Sequence, residues 1–358
     1  SLEFTNEASL ITAVIYILSG YFIAQAQHLG FVASGTWITF VVRYYYLLSK
    51  DGTVLTSLKI SICLFLLLTG GYPGLLVVTG YLLGLSFVGH IIWISVKKGK
   101  AIIPWRWVWL NLFLVVALCL VSGVVLYCSL ELSEYVTRGQ KLALADTGWG
   151  FFTGSLTFRS LVSFLTPYAL TTAKPYYGSD GLTHIISYVG IISLLFIAYA
   201  IAKRWKSKLI LGSLICAVFF FVLALAKELP LRGWTYYWPF MAYFRFSSVF
   251  RIFGTIPLLI IAATGITEWK NDKTFKAIFA TLFLSLLALM LDNYPEDFFE
   301  TLWSGFSFFD KNGTREFRLV FHGLIQLLIL AFLGLLILFL TNKSSLKKCV
   351  YALICFEM

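Results

Sequence analysis

Apolar runs, most of them long enough or nearly so to cross a bilayer, alternate along this chain with short polar connections. Ala8–Ala26, Phe31–Leu48, Val54–Thr69, Leu75–Val96, Trp107–Cys128, Ile185–Ala202, Leu209–Ala226, Ile252–Ile266, Phe275–Leu291 and Leu319–Leu340 are ten such runs. A helix rises about 1.5 Å per residue, so about 20 residues cross about 30 Å of hydrocarbon. The pattern predicts an all-α, polytopic transmembrane bundle of about ten spans. Phe31–Leu48 carries Arg43 near its end and has a second reading as a re-entrant or interfacial segment.

The connections are of two kinds. One kind is short and basic: Lys97, Lys98, Lys100 and Arg106; then Lys203, Arg204, Lys206 and Lys208; then Lys270, Lys273 and Lys276; then Lys343, Lys347 and Lys348. The other is longer, mixed in charge and aromatic: Ser129–Thr183, Lys227–Arg251 and Asp292–Arg318. Short basic loops stay in the cytoplasm, so the second kind is expected outside. Working back from Lys97, Gly70-Gly71-Tyr72-Pro73-Gly74 is an external breaker, and Gln27-His28 is external too.

Composition supports the class. Apolar residues make up 59% of the chain and charged residues 13%, about half the usual charged share of globular proteins. The net charge of +11 raises nucleic acid as a partner, but the cations sit in connections between spans, where they act as topology signals. No nucleic-acid partner is expected. The six cysteines lack metal-ligand spacing and read as packing residues. The first residues do not form a signal peptide, and the chain reads as one transmembrane domain, 1–358, taken from a longer protein.

No carboxylate falls near the middle of a predicted span, which argues against an ion-coupled transporter. Polar and aromatic residues gather on the external side instead. Asp146, Trp149, Tyr176, Tyr177, Asp180 and His184 belong to Ser129–Thr183, where short interfacial helices are expected. The densest stretch is 228–251, with Arg232, Tyr237, Arg245 and Arg251 set among aromatics. Guanidinium matches phosphate oxygens in a bidentate fork, and aromatic rings stack on sugars or line a lipid groove. The bland reading is interfacial anchoring. Asp292, Glu296, Asp297 and Glu300 form an acidic group that suits a divalent cation or a solvated rim; no other cofactor is expected. Asn312-Gly313-Thr314 fits a glycosylation acceptor.

Three blocks carry a family likeness: Leu18-Ser-Gly-Tyr-Phe with Gln27-His-Leu-Gly and Trp37; Thr69-Gly-Gly-Tyr-Pro73; and Leu229-Pro-Leu-Arg-Gly-Trp with Phe244-Arg-Phe-Ser-Ser-Val-Phe-Arg. In this order they resemble the YfhO-like bacterial membrane proteins, related to the C-type polytopic glycosyltransferases. The resemblance implies a multi-pass protein of the bacterial inner membrane that uses a polyprenyl-phosphate-linked sugar on the external face for cell-envelope glycan modification. It also implies that the principal catalytic carboxylate lies in an external loop upstream of this chain. The substrate-binding residues then expected here are His28, Tyr72, Arg232, Tyr237, Arg245 and Arg251. The alternative is a non-enzymatic membrane protein, either a lipid-linked sugar flippase or an envelope assembly subunit.

Overall fold

The computed structural model describes residues 4–98, 104–132, 141–144, 151–167, 186–226, 228–245, 247–303, 315–340 and 343–358. Among them there are helices and no strands. In chain order the helices are α1 (Asn6–Ile17), α2 (Gly20–Ala24), α3 (Leu29–Asp51), α4 (Val54–Thr69), α5 (Pro73–Lys98), α6 (Trp105–Leu132), α7 (Ile191–Arg204), α8 (Lys208–Ala224), α9 (Leu231–Thr235), α10 (Arg251–Glu268), α11 (Lys273–Asp292), α12 (Phe298–Trp303), α13 (Arg315–Phe339) and α14 (Lys343–Glu357).

Among the described residues six segments are long and apolar enough to cross a membrane: Asn6–Ala24, Pro73–Lys97, Trp105–Cys128, Ser247–Glu268, Lys273–Asp292 and Phe317–Phe339. Val54–Thr69 and Lys208–Ala224 are shorter apolar helices. On α5 and α6 large apolar side chains face outward, among them Leu85, Val88, Ile92, Leu120 and Val124. Water would penalise such a surface and hydrocarbon would not, so the chain reads as a multi-pass membrane protein. Cys119, Cys128 and Cys355 are exposed, which corrects their reading as packing residues; Cys63 is buried.

The chain divides into two compact units. Unit 1 holds Ser1–Ala24, Phe152–Gly233 and Phe246–Met358; unit 2 holds Gln25–Phe151 and Trp234–Arg245.

In unit 1, α10 is the central helix and packs against α1, α7 and α8. Its glycines make this possible. A Cβ on Gly265 would lie 2.2 Å from the Phe196 carbonyl oxygen of α7, and one on Gly254 would lie 2.8 Å from the Phe221 ring of α8. Where two helices gain nothing from excluding water, close backbone approach of this kind holds them together. The first apolar run is not one continuous helix. It breaks between α1 and α2, where Gly20 N donates to the Tyr188 carbonyl at 2.8 Å and leaves no room for a Cβ. Within the run expected from Ile185, residues 186–190 are a buried, non-helical stretch, and helix begins only at Ile191.

Two basic connections meet at one end of unit 1. Lys203 pairs with Asp272 at 2.8 Å, and Arg204 with Glu268 at 2.8 Å. Asp272 also caps α11 through Phe275 N at 2.9 Å. The Lys203 hydrogen bond, and then the Phe275 amide, hold the Asp272 carboxyl below its ordinary range.

In unit 2, α4 is flanked by α3, α5 and α6. The Ser57 hydroxyl donates to the Leu110 carbonyl at 3.0 Å, and the Ser61 hydroxyl to the Leu114 carbonyl at 2.8 Å. These small hydroxylic residues bond α4 to α6 where no water competes. The run Phe31–Leu48 lies within α3, one unbroken helix of 23 residues.

Candidate functional site

The blocks that carry the family likeness can be followed into the two units. Within unit 2, parts of all three converge. The start of α3 abuts the turn between α4 and α5, since a Cβ on Gly30 would stand 3.1 Å from the Gly70 carbonyl oxygen. Gly71 takes a φ of 111°, which only glycine adopts freely, and this turns the chain into α5. Tyr72 then points its hydroxyl at the Arg245 carbonyl and donates to it. Its ring lies 4.6 Å from that of Phe31 and 6.0 Å from that of Phe244. His28 continues the line, 5.8 Å from Phe31 edge-on, and its Nε2 is 3.5 Å from Gln27 Nε2. His28, Phe31, Tyr72 and Phe244 thus form one aromatic row that ends at Arg245.

The stretch 234–245 is fastened to unit 2 by main-chain and phenolic hydrogen bonds. Tyr81 donates to the Pro239 carbonyl at 2.7 Å, Tyr236 to the Leu142 carbonyl at 3.0 Å, and Leu142 N to the Ala242 carbonyl at 3.0 Å. These ties leave Trp234, Tyr237 and Phe240 exposed. Phe240 has a φ of 62°, the left-handed region that side-chain-bearing residues rarely occupy.

Arg232 and Arg251 belong to unit 1, where both are fully buried. They converge on one short segment. Ser247–Phe250 forms a 3-10 turn leading into α10. Arg232 Nε donates to Ser247 Oγ at 3.1 Å, and its guanidinium carbon sits 4.9 Å over the Phe250 ring. Arg251 donates from Nη1 to the Ser248 carbonyl at 3.2 Å and stands 5.3 Å over the Tyr21 ring. Burying a guanidinium is expensive unless its donors are used, and the start of a helix adds a positive end of its own. Helical turns begin at Ser247, ahead of the expected run from Ile252, and Phe246 lies outside the described residues.

The six expected site residues therefore fall into two sets: His28, Tyr72, Tyr237 and Arg245 in unit 2, Arg232 and Arg251 in unit 1. Asp146, Trp149, Tyr176, Tyr177, Asp180, His184 and the Asn312–Thr314 motif lie outside the described residues. Among the described residues, no three histidine, cysteine or carboxylate side chains converge as a metal site, the group at 292–300 included.

Two buried polar clusters escaped the sequence reading. Arg318 and His322 are both buried one turn apart on α13; the spacing is visible in the sequence, where Arg318 closes the connection Asp292–Arg318. Tyr188 donates to Glu357 Oε1 at 2.7 Å and lies 3.1 Å from Gln326 Oε1. The Ile191 and Ile192 amides also donate to Glu357, so a carboxylate caps α7 from inside the bundle. These partners are more than 130 positions apart, so no local pattern announces them. No known protein family, curated protein or solved structure matches the chain.

Proposed function

We propose that this chain is the membrane domain of a C-type glycosyltransferase-like protein, of YfhO-like kind, that holds a lipid-linked sugar phosphate at the external face of the bacterial inner membrane. The observation that carries the reading is the pair of fully buried arginines, Arg232 and Arg251, closing on the Ser247–Phe250 turn at the start of α10. Guanidinium forks and the positive end of a helix are both complementary to phosphate oxygens. The aromatic row from His28 to Phe244, with exposed Tyr237 nearby in sequence, offers faces for an isoprenoid chain or a sugar ring.

On this reading the ten apolar runs are ten spans, and the basic connections face the cytoplasm. The arginines stabilise the departing lipid phosphate by charge-assisted hydrogen bonds. The general base that deprotonates the acceptor hydroxyl is an external carboxylate, and Arg245, beside Phe244 in unit 2, is taken by itself as a phosphate ligand. The test uses the full-length protein in nanodiscs with a polyprenyl-phosphate sugar. Arg232→Lys, Arg245→Lys and Arg251→Lys keep the charge and lose the planar fork. Each is expected to weaken donor-lipid binding about tenfold or more, as loss of a charge-assisted hydrogen bond would. Wild-type affinity in all three would overturn the phosphate role. Binding without sugar transfer by a full-length protein bearing an external carboxylate would turn the reading toward a flippase.

A further inference from the structure

A cavity of about 410 Å³ in unit 2 has no part in the external site. It lies between α3, α5 and the first turn of α6, and its walls are Tyr45, Tyr46, Ser86, His90, Trp93 and Trp107. These residues sit toward the ends of α3 and α5 that lead to the Lys50 and Lys97 connections, away from the Gly70–Tyr72 turn. We propose that this cavity binds the headgroup of an anionic phospholipid from the leaflet that faces the basic connections.

The floor of the cavity is internally satisfied. The Tyr45 hydroxyl is 2.9 Å from Asn111 Oδ1 and 3.2 Å from the Leu83 carbonyl, and Asn111 Nδ2 donates to the Trp107 carbonyl. The wall is not. His90 lies against Trp107 at 4.5 Å and Trp93 at 5.9 Å, and among the described residues its ring nitrogens make no hydrogen bond. His90 is half-buried, and an imidazole set against two indole rings is better satisfied by a polar partner. The rim is cationic. Lys50 Nζ sits 4.6 Å over the Tyr46 ring and Lys97 Nζ 5.0 Å over the Trp93 ring, so two walls of the cavity each carry an ammonium. Near these helix ends the sequence also places Arg43, Lys98 and Arg106 against a single acid, Asp51.

The shape selects a lipid over a soluble anion. The cavity runs along α5 from Trp93 back to Leu82, about 16 Å of helix, and Val88 and Ile92 of the same helix face outward as exposed apolar side chains. A phosphate under Lys50 and Lys97, a glycerol or headgroup hydroxyl at His90 and Ser86, and an acyl chain over Leu82 and Val42 would match each stretch of the wall in turn. Interfacial tryptophans serve elsewhere as anchors, and basic loops attract anionic lipid by about 1 kcal/mol per cation through the surface field alone, so a charge-matched control at another connection separates a built site from that field.

The test reconstitutes the full chain in phosphatidylcholine nanodiscs and adds phosphatidylglycerol or phosphatidylcholine brominated near the top of the acyl chain, reading tryptophan quenching. Brominated phosphatidylglycerol should quench in excess of brominated phosphatidylcholine. That excess should fall at least threefold in Lys50→Gln/Lys97→Gln, and it should also fall in Trp93→Phe, which removes one of the two tryptophan reporters in the wall, Trp93 and Trp107, while keeping an aromatic ring there. It should persist in Lys206→Gln/Lys208→Gln, which removes as much charge from another connection. An unchanged excess in either cavity variant, or its equal loss in the Lys206/Lys208 variant, overturns the proposal. Abolition of the excess by inorganic phosphate would overturn it in favour of a free-anion site.

Discussion

The Tyr72 hydroxyl donates to the main-chain carbonyl of Arg245, joining two segments that are 173 residues apart in sequence. The acceptor is backbone, so the tie holds the Arg245 side chain in place without engaging it. Tyr72→Phe removes the donor, keeps the ring against Phe31 and Phe244, and should destabilise the protein by about 1 kcal/mol. Arg245→Lys leaves the carbonyl bond intact and should cost less thermal stability than Tyr72→Phe. Thermal unfolding in detergent of both variants checks the pair; equal losses would mean that the guanidinium, not the carbonyl, carries the contact.

The seam between α7 and α10 depends on Gly265. Its Cβ position falls 2.2 Å from the Phe196 carbonyl oxygen, a backbone atom that cannot swing aside. Gly265→Ala is expected to lower stability by about 1–3 kcal/mol through overpacking. Gly80→Ala, where a Cβ meets open space, is the matched control and should be neutral or mildly stabilising. An innocuous Gly265→Ala would show that the two helices do not pack at this distance.

The Lys203–Asp272 pair makes stability depend on pH in a defined direction. The Asp272 carboxyl is held below its ordinary value, chiefly by Lys203, and the Lys203 ammonium is raised by the same bond. Asp272 therefore contributes fully above the ordinary carboxylate range, and its share is lost as pH falls through its lowered value. The Lys203 share is present below the ordinary lysine value and is lost as pH rises through the raised one. Asp272→Asn retains the α11 cap and loses the charge, so its melting temperature should fall below wild type at neutral pH and converge with it in strong acid. Both side chains are about a third exposed, so the gap should be small and shrink with salt. A gap constant across the acid range would mean that the charge contributes nothing.

The charge alternation predicts opposite sides for the connections. Cysteines placed at Lys98 and at exposed Tyr237, in a background lacking native cysteine, should label from opposite faces of intact cells with an impermeant maleimide. Labelling from one face would overturn the orientation.

The sequence alone determined the class. Spans announce themselves because every lipid-facing residue must be apolar, whatever it packs against, and the α5, α6, α11 and α13 boundaries fall within a few residues of the apolar runs. The same one-dimensional rule set the expected sides of the membrane, because lysine position in a short loop is a property of the chain itself. Tertiary structure decided the breaks and the partners. The first run splits at Ser19–Gly20 because the Tyr188 backbone sits against Gly20, and residues 186–190 before Ile191 are buried without being helical. Arg232 and Arg251 look like surface anchors in sequence and are fully buried in the fold. Burial, and the meeting of Tyr72 with Arg245 or Glu357 with Tyr188, depend on contacts across more than 150 residues, which no local period encodes.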